Sequence, residues 1–139
     1  MTSDELAAIH ARAMRVPSPW AAKDFHDLLS HPGAILTSQS PDGFALGRVV
    51  LDEAELLTIA VDPEMQGKGT GRRLLTAFEE EAVRRGARTG HLEVAVKNIT
   101  AISLYHSAGW SEVGRRKQYY RTRTGREDAL LFSKELTSA

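Results

Sequence analysis

The sequence predicts an α/β fold with one mixed β-sheet flanked by helices, the elements running ααβββαβαββ. Three observations carry this. Residues 34–61 read as strands joined by short polar turns, which makes antiparallel hairpins. The apolar period becomes helical over residues 69–85, between two apolar strands, which makes a parallel crossover. Residues 110–136 then return to two strands around the loop Thr122-Arg123-Thr124-Gly125.

Each element has a local reason. Thr2 and Glu5 are spaced as a capping box, and Leu6, Ile9 and Ala13 follow at helical intervals. Ser18-Pro19 reads as a cap followed by a first-turn proline, with Phe25, Leu28 and Leu29 on the buried side and His31-Pro32-Gly33 as the stop. A strand over 34–38 meets the turn Ser40-Pro41-Asp42-Gly43, so a strand over 44–51 folds back on it. After Asp52-Glu53, the run 55–61 is continuously apolar enough for a central strand. In the long helix Leu74, Leu75, Phe78 and Ala82 form one face. Glu80–Arg84 and Glu81–Arg85 are spaced as i, i+4 pairs on the other, and Gly86 ends it. A strand over 91–96 precedes a short helix capped by Asn98 and closed by Gly109.

The chain has 139 residues, 42% hydrophobic and 26% charged, with 18 basic residues against 18 acidic ones. No repeat or linker divides it, so one domain over 1–139 is expected. The zero net charge argues against a general nucleic-acid binder, and the basic run Arg115-Arg116-Lys117 reads as a solvated strand end. With no cysteine, thiolate nucleophiles, disulfides and thiolate zinc sites are excluded. The five histidines share no metal-ligand spacing, so no metal is expected and surface or cap roles are assigned to them. The opening Met1-Thr2-Ser3-Asp4-Glu5 lacks the layout of a signal peptide, and no apolar run approaches the roughly 20 residues of a membrane span. A soluble cytoplasmic protein is expected.

The most informative stretch is Gln66-Gly67-Lys68-Gly69-Thr70-Gly71-Arg72, between a buried strand and the long helix. Its glycines let backbone N–H groups approach a ligand, and the helix N-terminus adds partial positive charge. Together these make a phosphate or pyrophosphate site, with Lys68 and Arg72 at hand. A Walker A ending is absent. A dinucleotide turn, G-x-G-x-x-G, fits Gly67 and Gly69 but finds Arg72 in third place. Glu93, at the end of the next strand, stands where a ribose-binding acid would be, so a dinucleotide remains a competing ligand.

The pattern Gln66-x-x-Gly69-x-Gly71 resembles the cofactor signature of the GNAT superfamily of N-acetyltransferases. The likeness extends through Leu51-Asp52-Glu53-Ala54, Ile59-Ala60-Val61-Asp62-Pro63, Leu92-Glu93-Val94, Asn98, Leu104-Tyr105 and Gly109-Trp110 to Tyr119-Tyr120 and Gly125-Arg126-Glu127-Asp128-Ala129. Over this span the chain is similar to the bacterial branch that acetylates the N-terminal alanine of a ribosomal protein. The resemblance implies acetyl-CoA as co-substrate, held by the turn at residues 66–72. It also implies that the backbone of Ile59, Ala60 and Val61 takes the pantetheine arm like an added strand, Asn98 assisting and the Val61 N–H facing the oxyanion.

Glu93 shares a strand face with His91 and Ala95, away from Leu92 and Val94. By position alone it is a paired or exposed carboxylate; the resemblance makes it the general base, directly or through a water. Tyr105 lies two helical turns past Asn98 and by spacing is a half-buried core residue; the resemblance makes it the acid that protonates the leaving thiolate. Trp20, Tyr119 and Tyr120 are the residues expected to line the acceptor groove. The partner implied is a protein N-terminus, on a small-subunit ribosomal protein, with no nucleic acid or membrane. A small amine or a lysine is the alternative acceptor. A non-catalytic sensor of coenzyme A or a nucleotide is the alternative class, and it would need neither Glu93 nor Tyr105.

Overall fold

The computed structural model describes residues 1–14 and 19–136. Helix α1, Ser3–Ala13, opens with the expected capping box: Thr2 Oγ1 accepts from Glu5 N at 3.1 Å and Glu5 Oε1 accepts from Thr2 N at 3.0 Å. Helix α2, Ala22–Leu29, starts later than Ser18-Pro19 suggested. Its first turn is held by Asp24, whose carboxylate accepts from Ala21 N at 2.9 Å, and the Ser18 cap lies outside the described residues.

Six strands follow: β1, Ala34–Gln39; β2, Gly43–Val50; β3, Glu53–Val61; β4, Thr89–Ala95; β5, Ser111–Thr122; and β6, Gly125–Glu135. They form one sheet in the order β1-β2-β3-β4-β6-β5. Among the described residues only β3–β4 is parallel, and the crossover between them contains helix α3, Thr70–Arg84. Helix α4, Ile99–Ser107, connects β4 to β5. Its cap is Asn98, whose side chain accepts from Ala101 N at 3.2 Å. The element order is therefore the expected one, with a short 3-10 turn at Pro63–Met65 added. Glu81, rather than Glu80, takes Arg84, and it takes Arg85 as well.

Two apolar clusters cover the sheet. Leu74, Leu75, Phe78 and Ala82 of α3 pack with Ala54, Leu56, Leu92, Trp110 and Phe132 on one face. Leu6 and Ile9 of α1 and Phe25 of α2 pack with Phe44, Leu46 and Ala60 on the other. Strand β3 serves both faces because of a bulge. Leu46 pairs with Thr58 but Gly47 pairs with Leu56, leaving Leu57 unmatched. The extra residue reverses the alternation: Ala54 and Leu56 point toward α3, whereas Ala60 packs with the α1 cluster and Thr58 bonds to a side chain of α1.

The same strand parts from β4 at that point. Their pairing runs only from Glu53↔Thr89 to Leu56↔Leu92, although β3 continues to Val61 and β4 to Ala95. Residues 57–61 thus have a strand on one side and an opening on the other. Among the described residues no helix is long and apolar enough to cross a membrane, and no group of three or more His, Asp or Glu side chains is placed to hold a metal ion.

Candidate active site

The opening between β3 and β4 contains two connected spaces. The outer one is a groove under the glycine-rich turn, lined by Ile59, Ala60 and Val61 on one side and Asn98, Ala101 and Leu104 on the other. Its floor is Gln66, Gly67, Gly69, Thr70, Gly71 and Arg72. The inner one is a small cavity that brings Glu93, Tyr105, Tyr120 and Trp20 together. Ile59, Asn98, Ala101 and Met14 border both.

The groove has features that suit an anion. Gly69 occupies the N-cap position of α3 with φ 80°, a left-handed conformation that glycine adopts without strain, and no side chain caps the helix there. The first-turn N–H groups, which have no partner within a helix, are left to a ligand. The first turn also carries no acidic side chain. It has Arg72 and Arg73 instead, which add to the positive end of the helix dipole.

Arg73 lies just outside the glycine-rich motif, yet it braces the whole turn. Its guanidinium donates to the Lys68 carbonyl at 3.1 Å, to Thr70 Oγ1 at 3.2 Å and to Gln39 Oε1 at 3.2 Å. Arg72 reaches across to α4, donating to the Ser107 carbonyl and hydroxyl at 3.2 Å. Lys68 is exposed and stands outside the groove, so of the seven turn residues only its side chain is not brought to the site. Gln66 donates to the Val61 carbonyl at 3.2 Å and so ties the turn to the end of β3.

In the inner cavity Glu93 is the first β4 residue beyond the last β3 pair. Its Oε1 faces Arg116 Nε at 3.1 Å, an ion pair of two half-exposed groups that contributes little stability and is easily displaced. The Arg115-Arg116-Lys117 run is exposed, as expected, and two of its members form surface ion pairs. Arg116 holds Glu93, and Arg115 holds Asp128 at 2.7 Å.

Tyr105, on α4, is nearly fully buried against Trp110 and Phe132. Burial pushes its phenol up, with Tyr120 beside it adding to the shift, so the hydroxyl is a neutral donor throughout the working range. Tyr120 is pushed up to about 12, by burial first and then by the Glu93 and Tyr119 charges.

Tyr119 and Tyr120 divide. An irregularity sets residues 117–119 of β5 against Asp128 alone, with Gln118 at φ 52° and its N–H donating to Asp128 Oδ1 at 2.8 Å. Tyr120 consequently turns into the cavity. Tyr119 remains 45% exposed outside it, edge-on to Tyr120 with Arg116 over its ring at 5.1 Å. Trp20 does line the cavity, stacked on His10. Assigning all histidines to surface or cap roles does not hold: His10 is fully buried in the cavity wall. Its sequence signal was its place four residues after Leu6 and next to Ile9, on the buried stripe of α1.

The dinucleotide reading is not supported by this arrangement. Among the described residues the sheet has a single parallel pair in place of repeated crossovers, and Glu93 faces a small cavity with two tyrosines.

Comparison with known proteins agrees with the architecture. The [ribosomal protein bS18]-alanine N-acetyltransferase of Escherichia coli K12 is 40% identical over 138 residues, spanning 95% of this chain and 91% of that protein. The crystal structure of the E. coli ribosomal-protein-S18-alanine N-acetyltransferase superposes with a TM-score of 0.87 at 38% identity, covering 99% of this chain and 89% of that one. Nourseothricin acetyltransferase is similar at 31% identity and a TM-score of 0.64, over 69% of this chain and 58% of the other. The acetyltransferase (GNAT) family matches residues 5–110. With that match and these relatives, the chain belongs to the acetyltransferase (GNAT) family and is an N-acetyltransferase.

Proposed function

We propose that residues 1–139 act as one acetyl-CoA-dependent acetyltransferase domain whose acceptor is the α-amine of a protein beginning with alanine or another small residue, as on a small-subunit ribosomal protein. The observation that carries this is the placement of Glu93 and Tyr105 in one cavity that opens directly onto the groove beneath the α3 N-terminus. The groove fits the co-substrate: uncapped N–H groups and arginines suit a pyrophosphate, and the exposed backbone edge of residues 57–61 suits the two amides of a pantetheine arm. Bound there, acetyl-CoA supplies an acetyl group activated as a thioester.

The residues then divide the work. Glu93 accepts the proton of the attacking amine, directly or through a water. The Arg116 pair engages Oε1, so Oε2 is the oxygen offered to it. A backbone N–H of β3 donates to the carbonyl oxygen as charge builds there. Ile59 is a better position for this donor than Val61, because Ile59 borders both spaces and Val61 only the groove. Tyr105 gives its proton to the departing sulfur as the C–S bond breaks and the N–C bond forms, and Asn98 holds the α4 end of the groove.

The acceptor class follows from proton chemistry and from relatives. An α-amine has a pKa of about 7.7–8.0 against about 10.4 for lysine, so a single carboxylate suffices to deprotonate it near neutrality. Trp20 and Tyr120 supply walls for the first residues of an extended chain, with Tyr119 at the rim. The E. coli relatives named for bS18 alanine span nearly the whole chain. The likeness to nourseothricin acetyltransferase keeps a small-molecule amine as the competing acceptor.

Mass spectrometry of peptides incubated with enzyme and acetyl-CoA tests the proposal. Peptides with free Ala or Ser N-termini should gain one acetyl group, and N-blocked peptides with an internal lysine should gain none. Preference for the blocked peptides or for a small amine would overturn the acceptor assignment.

A further inference from the structure

His10 is fully buried and uses both ring nitrogens. Nδ1 accepts from the Trp20 backbone N–H at 3.0 Å, so the ring proton sits on Nε2, which donates to Thr58 Oγ1 at 3.0 Å. The imidazole also stacks on the Trp20 indole, with ring centroids 4.9 Å apart and planes 27° apart, and meets the edge of Phe25 at 5.4 Å. Its two partners both line the inner cavity. Trp20 belongs to the chain entering α2, and Thr58 is the residue that the β3 bulge turns toward α1.

Burying an imidazole costs desolvation that a leucine or phenylalanine at this place would avoid. What the polar ring adds is direction: two fixed hydrogen bonds that set Trp20 at a defined height over the separated part of β3. We propose that His10, acting through Thr58 and Trp20, is a positioning residue for the acceptor, one that fixes the wall against which the incoming amine is aligned toward Glu93. This rests on the acetyl-transfer reading above. His10 itself is no proton acceptor for the amine, because both nitrogens are engaged and burial lowers its pKa to about 4. The groove for the co-substrate is lined by neither His10 nor Thr58 nor Trp20, so the effect should fall on the acceptor alone.

The test compares Thr58→Val, His10→Leu and His10→Asn with the wild type. Asn keeps an acceptor near the Nδ1 position and loses the Thr58 bond; Val removes the hydroxyl at nearly constant volume. In Thr58→Val the KM for the acceptor peptide should rise about 5- to 10-fold, the effect of one lost hydrogen bond, and in His10→Leu, which loses both bonds, it should rise further. Acetyl-CoA affinity by calorimetry should stay within about twofold of wild type over the same series. His10→Asn should recover part of the KM.

Labelling with 5-fluorotryptophan gives a readout independent of turnover, since the chain has two tryptophans, Trp20 and Trp110. The Trp20 resonance should shift in Thr58→Val while that of Trp110 stays. An unmoved Trp20 resonance, an unchanged acceptor KM, or an equal loss of acetyl-CoA affinity in folded Thr58→Val would overturn the positioning role. If wild type turns over no α-amine peptide, the acceptor assignment fails instead, and the Trp20 resonance still decides the role of His10.

Discussion

Strands β3 and β4 are adjacent in the sheet but their two halves behave as different structures. Over Glu53–Leu56 and Thr89–Leu92 they pair as an ordinary parallel ladder, with Ala54, Leu56 and Leu92 in the main core. One residue further on, the ladder stops. There the bulge at Leu57 has bent β3, and the freed backbone edge, Glu93 and the cavity all appear within the next few residues. The paired half supplies rigidity and carries no chemistry. The separated half holds the residues proposed for the chemistry and is flanked by elements outside the sheet: α1 through His10–Thr58 and Arg12–Asp62, and α4 through Asn98 and Tyr105. Unpaired strand edges are costly or hazardous, so an opening of this kind indicates a site meant to be filled.

The largest expected effect lies at the boundary residue. Glu93→Gln keeps shape and hydrogen-bonding reach but removes the proposed base, and kcat should fall roughly 10²- to 10⁴-fold with acetyl-CoA affinity retained. Tyr105→Phe should likewise lower kcat and spare binding. Steady-state kinetics paired with calorimetry separates the two quantities, and wild-type turnover in Glu93→Gln would make it a structural carboxylate.

The next effect concerns the outer wall of the separated half. His10 has a folded pKa of about 4 against the usual 6.5, so the unfolded chain binds the extra proton first. Stability from this group is complete above about pH 6.5 and is lost as the pH falls toward 4, by about 3 kcal/mol in total. Urea unfolding between pH 7 and 4 should show this slope in the wild type and a shallower one in His10→Gln. Equal slopes would mean that the imidazole is not buried neutral.

A smaller pair of effects separates the halves directly. In the paired half a Cβ at Gly90 would sit 2.6 Å from Trp110 Cη2, so Gly90→Ala should cost about 1–3 kcal/mol by overpacking while leaving acetyl-CoA binding by the folded protein unchanged. At the mouth of the separated half Gly69 has φ 80°, and Gly69→Val should abolish the rise in Tm that acetyl-CoA gives the wild type. Thermal melts of both variants with and without acetyl-CoA would show the inverse pattern if the two halves had the opposite roles.

Local patterns were the legible part of the sequence, on either side of this division. The capping box at Thr2, the hairpin turn at residues 40–43, the face Leu74-Leu75-Phe78-Ala82 and the glycine-rich turn are all local patterns, and each sits where the pattern placed it. The bulge was not legible, because Leu56-Leu57-Thr58-Ile59-Ala60 carries no alternation from which a missing partner could be noticed. Contacts across distant segments were also out of reach. His10 meets Thr58 from 48 residues away, and Arg116 meets Glu93 only because an irregular β5 lies two strands over. The start of α2 was misplaced because Ser18-Pro19 is a good local signal, whereas Asp24 caps from inside the helix.

Hydrogen exchange with and without acetyl-CoA tests the division of β3 most directly. Saturating acetyl-CoA should slow exchange of amides within residues 57–61 and in the first turn of α3, where backbone N–H groups face the groove. Amides of residues 53–56, already paired with β4, should exchange at the same rate in both states. Uniform protection along β3, or none within residues 57–61, would contradict the assignment of the separated half as the place where the co-substrate is held.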